Sequence, residues 1–140
     1  VSEKVLSHHT ASNPADLMQA QYSVPYCTAM GAYRDVTDPD SIAEDVLTDS
    51  GIRRLAQMIQ LEPKRDGNRK GWGVDMTIKL SDGRTFEQAI EDFPGCPTVP
   101  FSLDRLRAKF RVLTKRAEAD PLFDRLASID SVKDVRALWA

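Results

Sequence analysis

Polar side chains crowd the start of one apolar segment: Gln21, Tyr22, Ser23 and Tyr26 lead into Cys27-Thr28-Ala29-Met30. The Ser23 hydroxyl can accept from a backbone N–H one turn on, so it is expected to cap a helix. Pro25 then falls in the first turn, where its missing N–H does no harm. Such a helix start offers N–H groups and the positive end of the dipole, which attract carboxylates. The Tyr26 phenol can donate to an oxyanion or act as a general acid. The same residues also have a purely architectural reading, in which Tyr26 bonds a nearby carbonyl and Ser23 is only a cap. The residue types leave both readings open.

The remaining chemistry-bearing residues are sparse. His8 and His9 are adjacent and, on an expected edge strand, would face opposite ways, so they do not share a metal. Cys27 and Cys96 are far apart, outside any Cys-x-x-Cys pair, and read as buried thiols of a reducing compartment. No Gly-x-Gly-x-x-Gly, Walker loop, His-x-x-x-His or Gly-x-Ser-x-Gly occurs. No metal or cofactor is therefore expected.

The elements that must position these residues are an α+β set. Val1 to Thr10 is expected as an edge strand, Ala11 to Pro14 as a turn, and Asp16 to Ala20 as a helical turn. The helix after Ser23 is small and apolar and is expected to be buried on most sides. Ile42 to Leu47 reads as a short helix after Asp38-Pro39. Ile52, Leu55, Ala56 and Ile59 repeat at helical spacing, with Pro63 ending that helix. Lys64 to Gly71 is a charged loop. Trp72 to Leu80 alternates apolar and polar residues as a half-buried strand. Asp82-Gly83 then suits a two-residue turn into a returning strand, Thr85 to Ile90. Helices should cover one face of that small antiparallel sheet, because two strands alone are marginal. Beyond the Pro94–Pro100 loop, Ser102 caps a helix whose buried stripe is Leu103, Leu106, Phe110 and Leu113, with its basic residues solvated. Asp120-Pro121 caps another short helix with Leu122, Phe123 and Leu126, and Ser131 with Asp134 fits a capping box for a last one.

Composition bounds the class. The 140 residues are 41% hydrophobic and 29% charged, with a formal net charge of −2. That length suits one domain able to bury about two thirds of its unfolded surface. No basic stripe marks a nucleic-acid binder, and no run of about 20 apolar residues marks a membrane span. The chain begins at Val1 without an apolar leader, and an excised piece of a larger protein is expected.

Several stretches, in order, resemble the MmgE/PrpD family of 2-methylcitrate dehydratase and its relatives. Ala20-Gln21-Tyr22-Ser23-Val24-Pro25-Tyr26-Cys27-Thr28-Ala29 is similar to the family's Ala-(Gln/Lys)-Phe-Ser-(Leu/Val)-Pro-Tyr-x-x-Ala. Val74 to Gly83 resembles its strand and Asp-Gly hairpin. Phe93 to Ser102 resembles its Pro-x-Gly-x-Pro-x-x-Pro loop, shortened because Pro94 and Gly95 are adjacent. Leu106 to Phe110 resembles its Leu-x-x-Lys-Phe helix. Tyr22 stands where the family has Phe.

The resemblance implies a fragment, inactive alone, of a longer cytoplasmic and homodimeric enzyme. In it a large helical domain carries most catalytic groups and a smaller α+β domain closes over it. Here residues 1–98 would be that lid-like part and residues 99–140 a helical tail, together one domain. It implies metal-free and cofactor-free dehydration, decarboxylation or epimerisation of small polycarboxylates. Tyr26 would be catalytic, with Ser23 and Gln21 binding substrate. The competing expectation is a stand-alone interaction or regulatory domain that keeps this fold without catalysis. A weaker one is a small independent enzyme using His8 or His9.

Overall fold

The computed structural model describes residues 1, 3–63 and 73–138. It is an α+β chain that falls into two compact units, Val1–Cys96 and Pro97–Ala140. The Lys64–Gly71 loop and Trp72 lie outside the described residues.

In the first unit the helices are α1 (Glu3–His8), α2 (Leu17–Gln21), α3 (Val24–Tyr33) and α4 (Ser50–Met58). The first element is thus a helix rather than the expected edge strand. Val5 and Leu6 are adjacent rather than alternating apolar residues, and the His9 N–H closes onto the Val5 carbonyl at 2.9 Å. Between α3 and α4 the chain makes two short 3₁₀ turns, Pro39–Ser41 and Glu44–Leu47, where one short helix was expected. Asp49 caps α4 by accepting from the N–H groups of Gly51 and Ile52. That helix ends at Met58, well before Pro63.

These helices close around Ala20, Tyr26, Ala29, Met30, Val46, Ile52 and Ala56, all essentially out of water. Leu17, Cys27, Ile42, Leu47, Leu55 and Ile59 pack on the rim. α3 buries Pro25, Tyr26, Ala29 and Met30, with Val24, Cys27 and Thr28 half-buried, while its last turn, Gly31, Ala32 and Tyr33, reaches solvent. The burial expected on most sides therefore holds up to Met30 and ends in the last turn. α4 and α2 both pack against the helix. Small side chains at Ala29 and Ala56 let the core close tightly. Close by, a methyl added at Gly51 would lie 3.0 Å from the Tyr33 ring.

The strands β1 (Val74–Lys79) and β2 (Thr85–Ile90) pair antiparallel, with Val74 opposite Ile90, Met76 opposite Gln88 and Ile78 opposite Phe86. The connection is a three-residue loop, not the expected two-residue turn. The Gly83 N–H returns to the Leu80 carbonyl at 3.1 Å and the Leu80 N–H to the Arg84 carbonyl at 2.9 Å. Gly83 at φ +88 takes the left-handed position of such a loop. Directly opposed residues share a face, so Val74, Met76, Ile78, Phe86 and Ile90 form an apolar side. That side is open: Phe86 is 52% exposed and Ile78 48%. The helical cover expected for it is not supplied by the described residues.

The second unit holds α5 (Leu103–Thr114) and α6 (Ala119–Ala127), followed by the 3₁₀ turns Ile129–Ser131 and Val135–Leu138. Ser102 caps α5 as expected, accepting from the Arg105 N–H. Of the expected stripe, Phe110 packs and the leucines do not. Leu103 is 65% exposed, Leu106 40% and Leu113 54%, whereas the "solvated" arginines make the helix contact. The Arg107 guanidinium lies 4.5 Å over the Phe123 ring and bridges to Asp124, and Arg111 grips Asp120 with two 2.7 Å hydrogen bonds. Phe110 meets Phe123 edge to face at 5.6 Å. The stripe that packs is therefore 107, 110 and 111, chosen by bidentate Arg–carboxylate geometry as much as by hydrophobicity. Among the described residues no helix is long and apolar enough to cross a membrane.

Candidate functional site

The residues singled out in the sequence meet at the corner between α2 and α3. Gln21 ends α2, Tyr22 is its C-cap, and Ser23 is the N-cap of α3. The chain turns there because Tyr22 keeps helical angles while Ser23 is extended at φ −95, ψ 118. The segment after α1 seals the corner. The Val24 N–H donates to the His9 carbonyl at 2.9 Å, and the Ser23 hydroxyl donates to the Ala11 carbonyl.

This seal decides what the helix start can do. Ser23 Oγ accepts from the Tyr26 N–H at 3.0 Å, Pro25 has no N–H, and the Cys27 N–H returns to the Ser23 carbonyl at 2.9 Å. Every donor of the first turn is already used within the chain. The expected attraction of a carboxylate to free N–H groups at this end is thus corrected, because the helix start has none left to offer.

Ser23 is buried, and both hydrogen-bonding roles of its hydroxyl are spent on backbone groups. Tyr26 is 0% exposed. Its O–H donates at 2.7 Å to the carbonyl of Val46, itself buried in the 3₁₀ turn before α4. Burial pushes the phenol above its ordinary pKa, with the Arg53 charge opposing. As placed here, Tyr26 is a core donor, and any work on a substrate requires the bond to Val46 to open. Gln21 is exposed and free to meet another molecule. Cys27 donates its S–H to the Ala20 carbonyl at 3.3 Å, and burial raises its pKa, which keeps it a thiol. Neither cysteine is in a disulfide.

One residue at the corner escaped the sequence reading as a partner of this motif. His9 Nδ1 lies 2.8 Å from the Tyr22 carbonyl, and its ring stacks on Tyr22 at 6.1 Å between centroids and 15° between planes. Tyr22 is 64% exposed, so the pair lies at the surface. No local spacing could reveal it, since the contact spans thirteen positions through a turn. Among the described residues no cluster of His, Cys, Asp or Glu is arranged to hold a metal ion.

The model of the MmgE/PrpD C-terminal domain matches residues 1–133. No curated protein matches the chain.

Proposed function

This chain belongs to the MmgE/PrpD family, as its C-terminal domain, and from that premise we propose that the protein carrying it is a lyase of the 2-methylcitrate dehydratase type. Its substrates are small polycarboxylates and its chemistry needs no metal or cofactor. The observation that carries this reading is the match over nearly the whole chain, centred on motifs with no complete catalytic set of their own. A C-terminal domain has a domain before it in the family, and that domain is proposed to supply most of the pocket. The chain alone is then inactive. A homodimer of the parent is part of the same proposal, and so is a cytoplasmic setting, which two cysteines outside any disulfide suit.

Within the corner, Gln21 is proposed to contact substrate through its exposed amide. Tyr26 and Ser23 act through it: their bonds to Val46 and Ala11 hold the corner in place. The test is turnover of 2-methylcitrate by the full-length native polypeptide, against the same polypeptide carrying Gln21→Ala. Turnover in the first and a raised KM in the second are expected. A full-length protein that leaves 2-methylcitrate, cis-aconitate and iminodisuccinate untouched removes the lyase reading.

A second reading rests on the open apolar side of the hairpin. Patches of that kind mark interfaces, and an interaction domain without catalysis would use one. Size-exclusion of the 140-residue chain separates the two, since a stable self-associated form favours the interaction domain and a monomer favours the enzyme part.

A further inference from the structure

We propose that His9 is a proton-accepting catalytic residue of the α2–α3 corner, acting through Nε2. The inference rests on the lyase reading above and adds to it a residue that none of the matching motifs contains. Its basis is one hydrogen bond. The partner of Nδ1 is the Tyr22 carbonyl, at 2.8 Å, and a carbonyl only accepts. Nδ1 therefore carries the hydrogen. In the neutral ring Nε2 then carries the lone pair, and no partner holds it among the described residues. A histidine tied at one nitrogen to a backbone oxygen is fixed in tautomer and orientation, which is how proton-transferring and metal-bound imidazoles are set.

The surroundings suit that role. The Tyr22 ring stacks on the imidazole and limits its rotation. The His9 carbonyl takes the Val24 N–H at 2.9 Å and the His9 N–H donates to the Val5 carbonyl at 2.9 Å, so the backbone on both sides of the ring is held. Gln21, next to Tyr22 in sequence, is exposed. His8 has a different arrangement, with its Nδ1 2.5 Å from the Ser7 hydroxyl, a group that can donate or accept and fixes no tautomer.

The step is the removal of a proton from the carbon beside a substrate carboxylate. The C–H bond breaks, an Nε2–H bond forms, and the electron pair is left in the resulting enediolate. The ring becomes an imidazolium. Its Nδ1–H bond to the Tyr22 carbonyl then becomes charge-assisted and strengthens, which favours the product of the transfer. No oxidant, reductant or further reactant enters.

The test pairs a spectroscopic measurement with a variant that keeps the clamp. In alkaline buffer, ¹⁵N NMR of the chain should show His9 as the Nδ1–H tautomer, and a dominant Nε2–H form overturns the proposal. In His9→Asn the side-chain amide keeps a donor near the Nδ1 position, so the bond to Tyr22 survives while the base is lost. The unfolding midpoint should stay at the wild-type value. In the full-length native polypeptide, kcat on 2-methylcitrate should fall by about 100-fold or more, the range of general-base removal. A variant that turns over like wild type rejects His9 alone. An inactive wild-type polypeptide rejects the lyase reading, and the base with it. Should the variant fail to fold, the tautomer measurement still decides the geometry on the wild-type chain.

Discussion

The Tyr26 hydroxyl donates to the Val46 carbonyl across 2.7 Å, joining the start of α3 to the turn that precedes α4. Both residues are fully out of water, so neither group has solvent to fall back on. Tyr26→Phe removes the donor and strands the carbonyl. Its cost is expected to be about 1–3 kcal/mol, the penalty for an unmade buried hydrogen bond. Urea unfolding of the chain measures it, and a midpoint equal to wild type would show that the bond contributes nothing. In the full-length polypeptide, a turnover loss larger than the loss of folded protein would return Tyr26 to the list of groups acting on substrate.

Ser23→Ala removes the cap of α3 and the bond to Ala11 together. The Tyr26 N–H and the Ala11 carbonyl both lose their partner. A destabilisation of about 1–2 kcal/mol is expected from loss of the cap. Protection of the Tyr26 amide against hydrogen exchange should drop in the same variant. Unchanged protection would mean that the cap is dispensable.

Ile52 anchors α4 in the core with no exposed surface. Ile52→Ala should cost about 2–5 kcal/mol, because the cavity adds to the lost transfer energy. Phe86→Thr, on the open side of the hairpin, should stay within about 0.5 kcal/mol, as surface substitutions do. Equal costs for the two would contradict the burial described here.

Acid should loosen α4. The Ile52 N–H holds the Asp49 carboxyl below its ordinary pKa, with the Gly51 N–H and Arg34 adding to it and partial burial opposing. A carboxyl lowered on folding stabilises the chain above its unfolded value, and that contribution disappears as pH falls through the folded one. The loss therefore belongs to the window below about pH 4, where an unperturbed Asp titrates. The pH dependence of the unfolding midpoint should be shallower there in Asp49→Asn than in wild type. Identical slopes would remove Asp49 as a source of acid lability.

Local chemistry was enough to find the caps at Ser23 and Ser102 and the strands of the hairpin. Ser23 and Ser102 cap because a hydroxyl one turn from a free N–H needs no tertiary help. The β2 strand, Thr85–Ile90, lies where alternation and Asp82-Gly83 placed it. The corner motif around Gln21, Ser23 and Tyr26 was likewise legible, as was the family its residues resemble.

What the neighbours do was not legible, because each outcome depends on residues far off in sequence. The Tyr26 phenol could face a pocket or the core, and a carbonyl twenty positions away settled it. The Val24 N–H at the start of α3 was open to a ligand until the His9 carbonyl folded back over it. The leucines of α5 had the spacing of a buried stripe, yet the contact with α6 is made by Phe110 together with Arg107 and Arg111, which found carboxylates there. Spacing alone determines which residues share a face, a local property of the backbone. Which face is buried, and which polar groups remain free, is decided by the partners that the tertiary fold brings up against it.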